Sequence, residues 1–143
     1  MRHFVIATHG YFADGIMDSV RMILGMPENV TSFCAYTEAW ENDGGGNADE
    51  RIIKLLDSFP PDAEIVVLTD LLGGSVCNEF VKQIDRRPFT LLCGLNLPLL
   101  LELFSRDDEP LSECLAEVLQ LSAGSIKHVN PLVESANLED TDF

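Results

Sequence analysis

One histidine and one aspartate, each placed where an apolar run breaks off towards glycine, are the residues of this chain best suited to chemistry. The histidine is His9, in Val5-Ile6-Ala7-Thr8-His9-Gly10. The aspartate is Asp70, in Leu68-Thr69-Asp70-Leu71-Leu72-Gly73-Gly74-Ser75. A carboxylate that accepts a hydrogen bond from one imidazole nitrogen fixes the tautomer and leaves the other nitrogen as an oriented nucleophile. Gly73, Gly74 and Ser75 stand at the start of a helical pattern. Glycines let backbone N–H groups approach an oxyanion, and a helix N-terminus favours negative charge. A nucleophilic imidazole, an orienting carboxylate and an anion cradle are together suited to receiving a phosphoryl group. Taken singly, each has a plain structural explanation: a packed histidine, a helix-entry aspartate, a glycine turn. The case rests on whether the fold brings them together.

The elements that carry these residues alternate between two periodicities. Phe4 to Thr8 is a short continuous apolar run, as expected of a strand buried on both faces. Phe12, Ile16, Val20, Ile23 and Leu24 recur at helical spacing before Gly25. Val30 to Tyr36 is rich in β-formers, and a polar, glycine-rich loop (Glu-Asn-Asp-Gly-Gly-Gly-Asn-Ala-Asp-Glu) follows. Asn47 with Glu50 three residues on resembles a capping box. Ile52, Leu55, Leu56 and Phe59 then form one helical face that Pro60-Pro61 ends. Glu64 to Thr69 is the strongest strand signal. Cys77, Phe80, Val81 and Ile84 give another helical stripe, and Phe89 to Cys93 a fourth strand. Pro98 suits the first turn of a helix to about Phe104, Leu111 to Ala123 predicts a last helix, and Ser125 to Val129 a short terminal strand.

Strands alternating with helices predict a doubly wound α/β domain with a mainly parallel sheet and helices on both faces. Ligands of such folds bind at the carboxyl ends of the strands, where strand order reverses. In an order beginning 2-1-3-4 the reversal lies between strands 1 and 3, whose ends carry His9 and Asp70. The domain is expected over residues 1–130, with an acidic tail over 131–143.

Composition narrows the classes of function. The chain has 143 residues, 46% of them hydrophobic, and a formal net charge of −15. That charge argues against nucleic acid or an anionic membrane as partner; it suits either steering towards a partner with a basic face or solubility alone. Cys34, Cys77, Cys93 and Cys114 lie in apolar stretches without zinc-ligand spacing, as reduced core residues of a cytoplasmic protein do. Neither a signal peptide nor a membrane span is expected, because polar residues interrupt every apolar run.

Three other readings of the same residues stay open on these grounds. An aspartyl-phosphate receiver domain is also doubly wound, although it gathers carboxylates at the end of strand 1, where this chain has His9 and nothing acidic nearer than Asp14. A non-catalytic anion-binding module is compatible with the glycines, but neither GxGxxG nor a P-loop lysine is present. A metal site on His9 and Asp70 lacks further ligands at useful spacing. No cofactor is expected. Tyr36 and Trp40 suit either an active-site rim or an ordinary structural role.

The stretches Val-Ile-Ala-Thr-His-Gly-Tyr-Phe-Ala-Asp-Gly-Ile, Ile-Leu-Gly, Leu-Thr-Asp-Leu-Leu-Gly-Gly-Ser with Asn78 beyond it, and Cys-Gly-Leu-Asn-Leu-Pro-Leu-Leu-Leu-Glu-Leu-Phe also carry a resemblance. Over residues 3–128 the chain resembles the IIA component of the mannose family of the bacterial phosphoenolpyruvate-dependent sugar phosphotransferase system. The resemblance implies that His9 is phosphorylated by the phosphocarrier protein HPr and passes the group to a histidine of a IIB component. It implies that Asp70 bonds the active histidine, that Ser75 lies near the phosphoryl group, and that the protein is a homodimer whose C-terminal strand crosses to the partner's sheet. The family usually has proline after that serine, whereas this chain has Val76. A less rigid loop with the chemistry retained is the expected consequence.

Overall fold

Consecutive residues of the first strand, β1 (Arg2–His9), enter two different cores. Phe4 and Ile6 pack on one side of the sheet, and Val5 and Ala7 on the other. This follows from the two-residue period of a strand, and it explains why the run is apolar without alternation. The same division holds in β3 (Glu64–Thr69), where Val66 and Leu68 face one core and Ile65 and Val67 the other. With β2 (Val30–Ala35) and β4 (Thr90–Cys93) these strands form a parallel sheet in the order β2-β1-β3-β4. The expected order is the one observed. The computed structural model describes residues 1–134.

One face of the sheet is covered by α1 (Phe12–Leu24), α5 (Leu97–Ser105) and α6 (Leu111–Ala123), which contribute Val20, Leu100, Leu103 and Val118 to the core. The other face is covered by α3 (Ala48–Asp57) and α4 (Ser75–Val81), through Ile52, Leu56, Val76 and Phe80. Among the described residues no helix is long and apolar enough to cross a membrane. The four cysteines are free; Cys77 and Cys114 are buried, while Cys34 and Cys93 are half-buried.

Four local expectations need correction. Helix α1 buries Ala13, Ile16, Met17 and Val20, leaving Phe12, Ile23 and Leu24 exposed. Phe12 and Ile23 lie on the flank of the buried stripe, and small Ala13 permits the close approach. A short helix, α2 (Glu38–Asn42), occupies the start of what reads as a loop; the Thr37 hydroxyl caps it by accepting from Trp40 N–H at 3.1 Å. The Asn47 side chain makes no cap bond, and the Glu50 N–H instead bonds the Asp49 carboxylate at 2.9 Å. The terminal strand expected at Ser125–Val129 is not formed in this chain: residues 126–128 carry no regular element, and Val129 opens α7 (Val129–Val133). A single segment gains no ladder bonds without an edge to pair with. Of the expected acidic tail, residues 131–134 form the end of α7 and its cap, and 135–143 lie outside the described residues.

Candidate active site

His9 is the last residue of β1 and pairs in register with Ala35 of β2, while Ala7 pairs with Thr69 at the end of β3. Parallel register therefore delivers His9 and Asp70 to the same end of the sheet. The chain leaves β1 through Gly10 and enters α1, where buried Thr8 accepts a hydrogen bond from Ala13 N–H at 2.8 Å through its hydroxyl. Thr8 anchors the turn that presents the histidine. Sequence reasoning passed over it, although a threonine inside a wholly buried strand end was the available signal.

Asp70 grips His9 twice with one oxygen. Its Oδ2 accepts from the His9 backbone N–H at 2.8 Å and lies 2.9 Å from the ring Nδ1. An ionised carboxylate can only accept, so Nδ1 carries the proton and Nε2 keeps its lone pair. Nε2 lies 3.0 Å from Ser75 Oγ, whose O–H is the donor in that tautomer. Burial pushes the Asp70 carboxyl up, but the hydrogen bonds from the His9 backbone N–H and ring outweigh it and hold the group below the usual aspartate value. Among the described residues its other oxygen, Oδ1, is buried without a hydrogen-bond partner.

The glycines shape the site more than they bind in it. Gly73 has φ +78°, a conformation that L side chains adopt only with strain, and its carbonyl accepts from the Asn78 side chain at 3.1 Å. The Gly74 N–H closes the turn onto the Leu71 carbonyl at 3.1 Å. A Cβ at Gly74 would stand 3.4 Å from His9 Cε1 and 3.2 Å from that carbonyl. A side chain at Gly74 would crowd its own turn first and would touch the imidazole at van der Waals distance. The donors left for an anion are the first N–H groups of α4, beginning at Ser75, which lack partners within the helix. Val76, where proline is usual in the resembled family, is fully buried in the same core as Phe80 and keeps one such N–H.

The five expected site residues, His9, Asp70, Gly73, Gly74 and Ser75, thus meet at the switch point. Tyr36 joins them from the β2 side, its ring centroid 5.9 Å from that of His9, whereas Trp40 belongs to the core. His3, inside β1, packs against Phe59. The His9 side chain is 44% exposed, against 13% for Asp70. A groove of about 1020 Å³ runs beside the site between β2, α3 and the triple glycine, and His9 does not line it. An oriented nucleophile on an open surface fits a reaction between macromolecules better than one on an enclosed small substrate.

Comparison with known proteins agrees with this geometry. The family profile of the PTS system fructose IIA component (EIIA-man) matches residues 3–119. The chain is 33% identical over 126 residues to the PTS system sorbose-specific EIIA component of Klebsiella pneumoniae, covering 86% of this chain and 87% of that protein. It is 32% identical over 112 residues to the PTS system mannose-specific EIIAB component of Escherichia coli K12, covering 74% of this chain. The alignment takes in 32% of that protein, so the chain spans about a third of the length of the first curated relatives it matches. A crystal structure of a candidate phosphoenolpyruvate-dependent sugar phosphotransferase system permease from Klebsiella pneumoniae superposes with a TM-score of 0.82 at 38% identity, covering 92% of this chain and 93% of that one. By profile, by sequence and by fold, this chain belongs to the mannose- and fructose-type IIA family of the sugar phosphotransferase system.

Proposed function

We propose that the chain is a phosphoryl carrier in sugar uptake, accepting a phosphoryl group from phospho-HPr on His9 Nε2 and passing it to a histidine of a IIB component. The observation that carries this reading is the line Asp70 Oδ2, His9 Nδ1, His9 Nε2, Ser75 Oγ, which leaves one aimed and partly exposed lone pair. In the forward step that lone pair attacks phosphorus. The N–P bond of the donor phosphohistidine breaks, and its electron pair returns to the donor ring. Nδ1 keeps its proton throughout, so the His9 ring gains positive charge that the adjacent Asp70 carboxylate balances. Ser75 O–H, released from Nε2, turns to a phosphoryl oxygen. Passing the group to IIB repeats the exchange in reverse. Positioning and electrostatics are the whole contribution asked of the protein.

Incubation with phosphoenolpyruvate, enzyme I and HPr tests the proposal. One phosphoryl group should be added, labile in acid and stable in base, and His9→Ala should abolish it. A base-labile group that survives His9→Ala and vanishes in Asp70→Asn would transfer the case to an aspartyl phosphate. We further propose that the protein is a homodimer with the C-terminal segment at the interface. Exposed Ile126, Val129, Leu132 and Val133 support this, since they form an apolar run that a single chain leaves in water. A monomer mass by light scattering at micromolar concentration would remove the dimer.

A further inference from the structure

Tyr36 is the one non-glycine residue with positive φ among the described residues, at +63°. A bulky aromatic side chain in the left-handed region is an outlier, and such strain persists only where the surroundings impose it. Both neighbours do so here. On one side Ala35 pairs with His9 and accepts from Gly10 N–H at 2.9 Å. On the other, buried Thr37 caps α2, and its hydroxyl reaches back to the Cys34 carbonyl at 3.4 Å. The backbone at this position would suit glycine or asparagine, so the aromatic ring needs its own reason.

The reason lies in what the ring touches. It stands against the His9 imidazole at 5.9 Å between centroids and 49° between planes. Because β1 lies between β2 and β3, Tyr36 approaches from the side opposite Asp70 and Ser75. Behind it, Trp40 packs at 5.4 Å. Trp40 is itself held by the Arg51 guanidinium 3.9 Å over its ring, and Arg51 donates to the carbonyls of Trp40, Asp43 and Gly45 at 3.0, 3.1 and 2.8 Å. Tyr36 is thus the exposed end of a braced aromatic wall.

Granting that His9 carries the phosphoryl group, we propose that Tyr36 is a positioning residue for the transfer: its ring closes the β2 side of the imidazole and favours the ring charge that develops as Nε2 bonds phosphorus. Asp70 and Ser75 fix the imidazole at its nitrogens, which leaves it free to rock about the line through them. A ring packed from the third side removes that motion, and at 5.9 Å between centroids its π-system lies within range to favour an imidazolium.

The test is transfer from phospho-HPr to the full chain over a range of HPr concentrations, with wild type, His9→Ala, Tyr36→Gly, Tyr36→Asn and Tyr36→Phe, and thermal unfolding of each. Tyr36→Gly relieves the backbone strain, so its unfolding midpoint should equal or exceed that of wild type, while the rate at saturating HPr falls about 2- to 5-fold, the range of an exposed cation–π contact. The half-saturating concentration should change less than the rate, because the ring acts on the reacting imidazole rather than on docking. Tyr36→Asn, which also tolerates the left-handed backbone, should lose rate in the same way, and Tyr36→Phe should restore it. A wild-type chain that takes no label, or a label that survives His9→Ala, overturns the carrier reading and this inference with it. A wild type labelled on His9 whose Tyr36→Gly variant matches its saturating rate overturns only the inference, and so does a Tyr36→Phe variant as slow as Tyr36→Gly.

Discussion

Replacing Gly74 by alanine separates folding from transfer at a single atom. Gly74 has φ −70°, so alanine meets no backbone strain there. Losing a helix-entry glycine costs up to about 1 kcal/mol, and the stiffer unfolded chain offsets about 0.4–1 kcal/mol of it, so stability should stay within about 1 kcal/mol of wild type. The new Cβ lies 3.2 Å from the Leu71 carbonyl oxygen and 3.4 Å from His9 Cε1. The contact with that backbone carbonyl is the tight one, and the imidazole, already at van der Waals distance from the new Cβ, takes up part of the shift that relieves it. A displacement of about 0.3–0.5 Å lengthens the bonds at Nδ1 and Nε2 and turns the lone pair off its line. With roughly 100-fold in rate at stake for a 1 Å misplacement, transfer from phospho-HPr should slow about 4- to 10-fold. Rapid-quench transfer measured beside urea unfolding reads both quantities on one protein. A stably folded Gly74→Ala that transfers at the wild-type rate would refute the claim that a side chain here disturbs the histidine.

Asp70→Asn should slow transfer about 100-fold, since an amide oxygen still accepts from Nδ1 but cannot balance the ring charge; single-turnover rates decide it. The carboxyl is held below its ordinary value in the fold, so its stabilising contribution is complete above about pH 4, the unfolded value, and is lost as pH falls through the lower folded one. Urea unfolding between pH 6 and pH 3 should accordingly show a flatter acid limb in Asp70→Asn than in wild type. Leu100→Ala, in the fully buried core beneath α5, should cost about 2–5 kcal/mol in urea unfolding while leaving the transfer rate at 25 °C unchanged. Raising salt should lower the second-order rate of transfer from HPr, because a chain of net charge −15 is steered towards a basic partner face; a rate independent of ionic strength would assign the acidity to solubility alone.

Strand identity, strand order and the meeting of His9 with Asp70 were legible because each rests on a local pattern joined to a general rule. The unbroken apolar run Phe4–Thr8 and the Ile-Val-Val-Leu run within Glu64–Thr69 have nowhere to go but a sheet covered on both faces, and right-handed crossovers leave few ways to order four such strands. Once the order is 2-1-3-4, the residues at the ends of strands 1 and 3 are neighbours whatever the loops do. Other features depended on contacts between segments far apart in the chain. That α1 turns Ala13 and Met17 inward rather than Phe12 and Ile23 is decided by the strand surface it lies on. Whether Ser125–Val129 pairs or starts a helix depends on an edge that local sequence does not contain. Tyr36 reads from sequence as one more strand residue; its left-handed backbone exists only because the His9–Ala35 pairing and the capped α2 hold it from both sides. That a side chain at Gly74 would meet both the Leu71 carbonyl at 3.2 Å and the His9 ring at 3.4 Å shows only in the folded chain. Sequence by itself determined which residues could react and which end of the sheet would carry them, because periodicity and chain connectivity are local and discrete. Tertiary structure alone decided how tightly His9 is held, since tenths of an ångström between β1, β2 and the turn before α4 are set by packing that no single segment encodes.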